Sequence, residues 1–452
     1  MIYYERKIDA VLVEWSKEKQ RKTLLLRGAR QVGKSCAVRN LAKSFKYFVE
    51  INFDDEKSVH HFFEEDYSPQ EICEQLALYY RTPVAAGETL LFFDEIQACL
   101  PALSKLRYFY EKYPDMHLIA AGSLLEFAIG EIASFGVGRI RSVFMYPFSF
   151  DEFLNALGDG MLVDAYRKAN PRHPLSEPVH KQLIKRLKLF LIIGGMPEAV
   201  AGYANTGDLL KSQLVLNDLL VTFQNDFSKY RKRIPDSRIR EVFESVAHQA
   251  EGKFVYEKAT EGCNNAQVKQ ALDLLMMAGL VYPVTHTSAN DIPLGAEIDL
   301  KYRRMILLDT GLLQQILGLD VAQLFLTDDF NAINKGALAE IFVGLELIKN
   351  ASCYKPAQLY CWRREQKKSN AQVDFVIQSG ETILGIEVKS GTSGSMQSLR
   401  IFMEEKNSQS GIRTSLENFG CFDHLVIERS RNIDIYPLYA ISNVLKPKIN
   451  LT

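Results

Sequence analysis

A glycine-rich segment between an apolar strand and a helix places the strongest constraint on this chain. Residues 28–35 read Gly-Ala-Arg-Gln-Val-Gly-Lys-Ser and fit the pattern G-x-x-x-x-G-K-[ST]. The apolar run over residues 23–26 predicts a buried strand before the segment, and residues 37–43 can continue as a helix after it. Strand, loop and helix in this order are the context that the pattern requires if it is to bind phosphate. An isolated surface turn would not need this context.

The positions inside the segment have separate predicted roles. Its two glycines let the backbone approach a phosphate chain closely, so that successive N–H groups point at the oxygens. Lys34 is predicted to reach the β and γ phosphates of a nucleotide, and the Ser35 hydroxyl is predicted to bind Mg²⁺. The following helix presents its positive N-terminal end to the same anion. The predicted binding set comprises Gly28, Ala29, Arg30, Gln31, Val32, Gly33, Lys34, Ser35 and Cys36.

A second apolar strand ends in two carboxylates, which are the partners that such a loop needs. Residues 89–93 read Thr-Leu-Leu-Phe-Phe, and Asp94 and Glu95 follow them directly. A buried strand that ends in aspartate delivers a carboxylate to the Mg²⁺ shell, which is the role predicted for Asp94. Glu95 is placed to act as the general base that polarises the attacking water. Together these residues predict hydrolysis of the nucleotide as well as binding.

Three other side chains are candidates for contact with the terminal phosphate. Ser123 follows the predicted strand over residues 117–121 and suits a sensor of the γ-phosphate, or equally the N-cap of the next helix. Arg139 and Arg141 open a predicted fifth strand over residues 140–146. Either arginine could stabilise charge in the transition state, in the same chain or across a subunit interface. The alternative, given equal weight, is that Arg139 and Arg141 are ordinary surface residues without a role in catalysis.

The rest of the chain divides by its pattern. Strands and helices alternate over residues 23–146, which predicts a parallel sheet covered on both faces. A mostly helical stretch to about residue 232 predicts a lid or arm. Residues 237–285 resemble a winged helix-turn-helix, but its third predicted helix, over residues 265–278, carries one basic residue, Lys269. Because phosphate contact needs positive charge, packing or partner contact is favoured over DNA reading.

A second chemical constellation lies near the C-terminal end of the sequence. Strands are predicted over residues 371–377 and 383–389, joined by a short turn, so that Asp374 can approach Glu387. The period of two puts Glu387 and Lys389 on one face. Glu340, on a predicted helix from residue 336, adds a third carboxylate. The pattern suits a Mg²⁺-dependent nuclease in which Asp374 and Glu387 hold the metal and Lys389 helps to activate water.

The alternative for these residues is a salt-bridged polar hairpin without catalytic function. Basic residues stand just before the hairpin, and they suit a phosphate-facing patch or a solvated loop. They are Arg363, Arg364, Lys367 and Lys368.

Composition narrows the class of protein. The 452 residues carry a formal net charge of −1, so any nucleic-acid contact must come from a local patch. The seven cysteines are scattered without a C-x-x-C pair, which favours reduced thiols over a zinc site. The first residues lack a signal-peptide core, and no apolar run reaches the length of a membrane span. We expect a soluble, cytoplasmic protein without membrane contact.

Taken together, these motifs resemble those of a known family. Residues 21–154 resemble the AAA-type ATPases, a group of P-loop NTPases with an added catalytic strand. The whole chain resembles prokaryotic ATP-binding proteins that join this module to a C-terminal domain of unknown function. In that family the C-terminal region contains a winged helix and a restriction-endonuclease-like domain. The motifs of the resemblance lie at residues 28–35, 91–97, 121–123, 138–139, 146–153, 308–311, 336–340, 373–375 and 386–389.

The resemblance implies an α/β fold with a P-loop NTPase parallel sheet, followed by a helical arm, a winged helix and an α/β restriction-endonuclease-like domain. The implied boundaries are 1–155, 156–235, 236–295 and 296–452. It implies ATP and Mg²⁺ as cofactors and slow hydrolysis. One departure is Ala29, where proline is frequent. AAA relatives often form rings, but the sequence leaves the oligomeric state open.

Three functional hypotheses follow for the whole chain. The first is an ATP-hydrolysing switch that moves the arm and the C-terminal domain. The second is an ATP-gated, metal-dependent nuclease. The third is a C-terminal domain that has lost nuclease activity and docks a protein or nucleic-acid partner.

Overall fold

The computed structural model divides the chain into two compact units. Unit 1 comprises Met1–Pro147 with Met277–Gly279 and Ser352–Pro356. Unit 2 comprises Phe148–Met276, Leu280–Ala351 and Ala357–Thr452. The structure describes residues 2–131, 136, 138–230, 234–250, 252–260, 262, 264–318, 336–365, 370–391, 394–426 and 429–445.

Unit 1 alternates strands and helices, as its sequence pattern predicts. Its described strands are β1 (Thr23–Arg27), β2 (Tyr47–Asn52), β3 (Thr89–Asp94), β4 (His117–Ala121) and β5 (Ile140–Phe144). Its described helices are α1 (Lys7–Lys17), α2 (Lys34–Ala42), α3 (His61–Glu64), α4 (Pro69–Tyr80), α5 (Leu100–Lys112) and α6 (Leu125–Glu131), with 3-10 turns at Lys57–His60 and Ile96–Ala98.

The five strands of unit 1 form one parallel sheet in the order β2-β3-β4-β1-β5. This confirms the predicted parallel sheet. Strand β4 lies between β1 and β3, so Leu26 pairs with Ala121 and Phe93 pairs with Ala120. The loops that follow these three strands therefore meet at one edge. That edge, at the carboxyl ends of the strands, is where open α/β sheets bind ligands.

Burial explains why these strands read as continuous apolar runs. Every residue of β3 and of β4 is buried, as expected for a parallel sheet that is covered on both faces. Leu25, Leu91 and Phe93 are fully buried in one apolar cluster that also contains residues of α4 and α5. The sheet is thus a rigid base for the loops at its edge.

Unit 2 begins with helices and ends with most of its strands. Its described helices are α7 (Phe150–Ala156), α8 (Gly160–Lys168), α9 (Glu177–Ile193), α10 (Pro197–Thr206), α11 (Leu209–Asp226), α12 (Asp236–His248), α13 (Asn265–Met277), α14 (Thr310–Ile316), α15 (Ala337–Lys349) and α16 (Gln397–Glu405). Its described 3-10 turns are Phe227–Tyr230, Tyr256–Lys258, Leu294–Glu297 and Leu438–Leu445. Its described strands are β6 (Val281–Thr287), β7 (Ile298–Leu307), β8 (Leu359–Arg363), β9 (Gln372–Ser379), β10 (Thr382–Val388), β11 (Ser410–Ser415), β12 (Gly420–Val426) and β13 (Arg429–Pro437).

The strands of unit 2 form one mixed sheet in the order β12-β13-β11-β10-β9-β8-β6-β7. Strands β9 and β10 pair antiparallel, in agreement with the predicted hairpin. Strands β6 and β7 also pair antiparallel, and β6 pairs with β8. The boundary expected at residues 295/296 therefore falls inside a hairpin of the eight-stranded sheet. Elements α12, Tyr256–Lys258 and α13 follow the order expected of a winged helix, and that assignment stays a prediction.

Helix α15 packs closely against this sheet. A Cβ on Gly344 would lie 2.9 Å from Ile306 of β7 and 3.1 Å from the Phe375 ring of β9, so glycine permits the close approach. Glu340 is one helical turn earlier and shares this face. The helix therefore places the Glu340 carboxylate against the sheet beside β7 and β9.

Of the helices that the structure describes, none is long and apolar enough to cross a membrane.

Candidate functional site

The loop between β1 and α2 contains three residues in left-handed or positive-φ conformations. Their φ angles are +148° at Gly28, +64° at Gln31 and +96° at Gly33. A Cβ on Gly28 would lie 2.2 Å from the Met145 carbonyl oxygen, so no larger residue fits there. This is the physical reason for the first glycine of the pattern: both its φ angle and its close neighbour exclude a side chain.

Lys34 lies inside the loop and is 7% exposed. Its Nζ donates hydrogen bonds to the carbonyl oxygens of Gly28 (3.0 Å) and Ala29 (2.8 Å). Burial lowers the pKa of Lys34 to about 8, while the charges of Glu95 and Asp94 oppose that shift. A lysine with this pKa is still mainly protonated at neutral pH, so it offers a positive charge to a phosphate chain.

Ser35 and Asp94 are adjacent at the same edge. The Ser35 hydroxyl donates a hydrogen bond of 2.6 Å to Asp94 Oδ2, and Asp94 Oδ1 accepts one from the Glu95 N–H at 3.0 Å. Burial raises the pKa of Asp94; the hydrogen bond from Ser35 lowers it, and the charge of Glu95 adds to the rise. Paired hard oxygen ligands suit Mg²⁺. The two groups that the sequence assigns to the metal thus fit it.

Glu95 is held by two donors. Its Oε2 accepts hydrogen bonds from the side-chain amide of Gln97 and from the Ser123 hydroxyl, the latter at 3.2 Å. Glu95 itself has φ +48°, a left-handed conformation that is uncommon for a non-glycine residue. A Cβ on Gly122 would lie 2.0 Å from Gln97 Oε1, so glycine makes room for the amide. Sequence reasoning gave Ser123 a role, but it gave none to Gln97, which it included only as the last residue of the motif at residues 91–97.

The structure does not bring Arg139 or Arg141 to this loop within one chain. Arg141 pairs with Leu24 in the register of β5 and β1, near the start of β1, whereas the loop follows the end of β1. Arg139 forms an ion pair with Glu111, and Arg141 forms one with Glu18. Both arginines thus lie toward the opposite edge of the parallel sheet. Contact across a subunit interface stays a prediction.

The C-terminal constellation assembles within unit 2. Ile386 pairs with Phe375, which places Glu387 beside Asp374 on the antiparallel strands. Asp374 Oδ2 accepts a hydrogen bond of 2.8 Å from the Val388 N–H, and Lys389 Nζ donates one of 2.7 Å to Glu387 Oε1. The hairpin therefore brings together the three residues that sequence reasoning selected on it.

Arg304 joins these residues, and sequence reasoning missed it. It is 3% exposed and lies on β7. Its guanidinium donates hydrogen bonds to the Glu340 carboxylate and to the Asp374 carbonyl oxygen, and its Nη1 lies 3.9 Å from Asp374 Oδ1. It also lies over the Phe375 ring, 5.3 Å from the centroid. A buried arginine thus supplies positive charge in the region where a metal ion was predicted. We call Arg304, Glu340, Asp374, Glu387 and Lys389 the charge cluster.

Burial raises the carboxyl pKa values inside the charge cluster. For Glu340, burial is the main cause and the charge of Asp374 adds to it, while Arg304 opposes the rise. For Glu387 the causes are burial and Asp374, opposed by Lys389. Burial also raises the pKa of Asp374, against the opposing charge of Arg304. Glu387 Oε2 is a buried acceptor without a hydrogen-bond donor.

The fit of the charge cluster to a metal is therefore partial. Asp374 and Glu387 are adjacent carboxylates, and one oxygen of Glu387 has no donor. Against this, Arg304 engages both Glu340 and Asp374, and no group of three or more His, Cys, Asp or Glu side chains among the described residues could hold a metal ion.

The basic stretch before the hairpin has partners of its own. Arg364 forms an ion pair with Glu405, and Arg363 lies over the Tyr302 ring, 4.7 Å from the centroid. Lys367 and Lys368 lie outside the described residues. The two arginines are thus engaged within unit 2, and the phosphate-facing patch stays a prediction.

Comparison with known families identifies the N-terminal domain. An AAA domain matches residues 20–154, and two domains of unknown function, DUF8612 and DUF4143, match residues 184–323 and 335–439. The chain therefore carries an AAA domain, a P-loop NTPase module, followed by DUF8612 and DUF4143 domains. These matches name neither a winged helix nor a restriction-endonuclease-like fold.

Comparison with individual proteins adds little to this. No curated protein matches the chain. One similar solved chain comes from the structure of Drosophila ORC bound to DNA, with 12% sequence identity and a TM-score of 0.26. The alignment covers 70% of this chain and 95% of that chain. A TM-score of this size is too low to establish a shared fold.

Proposed function

We propose that this protein hydrolyses ATP with Mg²⁺ at the edge of the unit 1 sheet. The observation that carries the proposal is the hydrogen bond between Ser35 and Asp94, with Glu95 next in the chain. It puts a metal-binding hydroxyl, a metal-binding carboxylate and a candidate base beside one phosphate-binding loop. The AAA domain match over residues 20–154 supports the same function.

Each residue has a defined task in this proposal. Lys34 exchanges the carbonyl oxygens of Gly28 and Ala29 for phosphate oxygens, and Ser35 and Asp94 would hold Mg²⁺. Bound Mg²⁺ would neutralise the charge that develops on the phosphates. Glu95 accepts a proton from the attacking water, while Gln97 and Ser123 orient its carboxylate.

ATP binding and turnover measured on three variants test the proposal. Lys34→Ala is expected to lose binding, because the buried ammonium is the main positive charge inside the loop. Glu95→Gln is expected to bind ATP but to hydrolyse it at a rate at least about 100-fold lower than wild type. Glu88→Gln is the matched control, since Glu88 forms an exposed ion pair with Lys46 just before β2 and β3, away from the loop. Wild-type protein that neither binds nor hydrolyses ATP with Mg²⁺ would contradict the proposal.

For the C-terminal part we propose the non-catalytic alternative, a docking module for a protein or nucleic acid. Its support is Arg304, because a guanidinium bonded to Glu340 and close to Asp374 competes with a cation for those carboxylates. The metal-dependent nuclease is the rival proposal, favoured by the orphaned Glu387 Oε2. In either case ATP turnover would act as a switch for the C-terminal part.

A cleavage assay separates these two proposals. The protein is incubated with DNA and RNA, with Mg²⁺ or Mn²⁺, and with or without ATP. The docking proposal expects no cleavage beyond that of an Asp374→Ala variant. Cleavage by wild type that Asp374→Ala abolishes would establish the nuclease instead.

The finer domain assignment belongs to this proposal as well. We infer a helical arm over residues 156–235, a winged helix from residue 236 and a restriction-endonuclease-like domain to residue 452. The β9–β10 hairpin and helix α15, which together hold three carboxylates, support the last of these. A homo-oligomer in which Arg139 or Arg141 reaches a neighbouring nucleotide is a further part of the proposal.

A further inference from the structure

Arg6 links the phosphate-binding loop to the segment that follows β5. Arg6 directly precedes α1 and is 6% exposed. Nη1 donates a hydrogen bond of 3.0 Å to the Val32 carbonyl oxygen, and Nη2 donates one of 2.7 Å to the Tyr146 carbonyl oxygen. Through these two hydrogen bonds, the buried guanidinium holds the two backbone segments at a fixed separation.

The first turn of α1 holds Arg6 in place. The Arg6 N–H donates to Asp9 Oδ2 at 2.8 Å, and the Asp9 N–H donates to the Arg6 carbonyl oxygen at 3.0 Å. The Tyr3 hydroxyl donates to Asp9 Oδ1 at 2.6 Å. This reciprocal capping fixes the Arg6 backbone, so the guanidinium approaches the loop from a defined position.

The loop is tied at two points to the same segment. The Met145 N–H donates to the Arg27 carbonyl oxygen at 2.8 Å, just before the loop begins. Arg6 ties the Val32 carbonyl, near the other end of the loop, to Tyr146. Tyr146, the residue after Met145, therefore accepts the hydrogen bond through which Arg6 connects Val32 to this segment.

The Val32 contact has a consequence for the next peptide N–H. In a planar trans peptide, the carbonyl of one residue and the N–H of the following residue point in opposite directions. A Val32 carbonyl directed at Arg6 thus turns the Gly33 N–H away from Arg6. Gly33 immediately precedes α2, whose N-terminal end carries Lys34 and Ser35.

We propose that Arg6 is a positioning residue for ATP, which acts by holding the Gly33 N–H toward the phosphates. The inference rests on the proposed ATP function. A purely structural arginine would stabilise unit 1 without a specific effect on nucleotide affinity. The two roles therefore differ in a measurable way.

Arg21 provides the matched control for a test. It is also a buried arginine of unit 1, 9% exposed, and it donates to the carbonyl oxygens of Ser16 and Glu18. It lies before β1, at the opposite edge from the loop. Arg6→Met and Arg21→Met each remove a buried guanidinium with backbone acceptors, but only the first contacts the loop.

The experiment measures the Kd for ATP with Mg²⁺, the melting temperature and the amide hydrogen exchange of residues 28–36 without nucleotide. Arg6→Met is expected to raise the Kd about 10-fold or more and to accelerate exchange in the loop. Arg21→Met is expected to lower the melting temperature while leaving both loop measurements unchanged. Arg6→Lys keeps the charge but has one nitrogen where arginine uses two, so we expect an intermediate Kd. This variant serves if Arg6→Met does not fold.

Two outcomes overturn the inference. One is a Kd within about twofold of wild type in both Arg6 variants when wild type binds ATP. The other is equal loop exchange in wild type, Arg6→Met and Arg21→Met. If wild type does not bind ATP, the proposed function fails, and loop exchange alone decides whether Arg6 positions the loop.

Discussion

The hydroxyl of Ser35 and the carboxylate of Asp94 lie 2.6 Å apart, although 59 positions separate them in the chain. Ser35 is the second residue of α2, and Asp94 is the last residue of β3. Their contact exists because β1 and β3 are parallel neighbours of β4 and end at the same edge. It joins the phosphate-binding loop to the acidic strand end and puts the two side chains proposed to hold Mg²⁺ side by side.

Ser35→Ala and Asp94→Asn are expected to raise the Mg²⁺ concentration needed for half-maximal ATP turnover about 10-fold or more. Each change removes one hard oxygen ligand, or the charge of one, from the proposed Mg²⁺ site. Turnover measured against Mg²⁺ concentration at saturating ATP checks the prediction. Asp115→Asn, at an exposed carboxylate that precedes β4 and so lies toward the opposite edge, is the control and should keep the wild-type Mg²⁺ curve.

Gln97→Leu is expected to lower kcat about 10-fold while the KM for ATP stays close to wild type. The change removes one of the two donors that orient the Glu95 carboxylate, and it leaves the loop untouched. Steady-state ATPase kinetics give both constants. Gln70→Leu removes an exposed glutamine amide that donates to the Lys112 carbonyl, so it is the matched control. A change in KM alone would argue against an orienting role.

Arg304→Met is expected to destabilise unit 2 by about 3 kcal/mol, because it removes the hydrogen-bond donor of buried Glu340 and the cation beside buried Asp374. Denaturation followed by Trp362 fluorescence reports on unit 2, provided that Trp15, the other tryptophan, is replaced by Phe in every protein compared. Arg364→Met breaks a more exposed ion pair with Glu405 and should cost less than about 1 kcal/mol. Equal losses in the two variants would mean that the charge cluster has no special dependence on Arg304.

Glu340→Gln is expected to flatten the pH dependence of unit 2 stability. Because burial raises the folded-state pKa of Glu340, the folded state retains its proton above the unfolded value of about 4.3. The associated stability is fully present below that value and is lost as the pH rises through the raised pKa. Glutamine cannot ionise, so the variant should gain stability relative to wild type between about pH 5 and pH 8.

The same Trp362 signal measures this difference at each pH. Glu405→Gln changes a carboxylate at a surface ion pair and is the control. Parallel curves for wild type and Glu340→Gln would show that Glu340 does not titrate differently in the folded unit.

Much of unit 1 could be predicted from the sequence because its signals are local. The loop pattern, the apolar run before it and the acidic end of β3 each occupy a few consecutive residues. The hairpin with Asp374 and Glu387 was readable for the same reason, since a short turn specifies which strands pair. In these cases neighbours in sequence are also neighbours in space.

The sequence by itself determined the phosphate-binding loop, the acidic strand end and the alternation that produces a parallel sheet. Tertiary structure alone decided that Arg6 reaches Val32, that Arg304 enters the charge cluster and that Arg139 points away from the loop. An arginine side chain is long and its charge finds partners across strands and helices, so its position depends on packing between distant segments. No local pattern of residues contains that information.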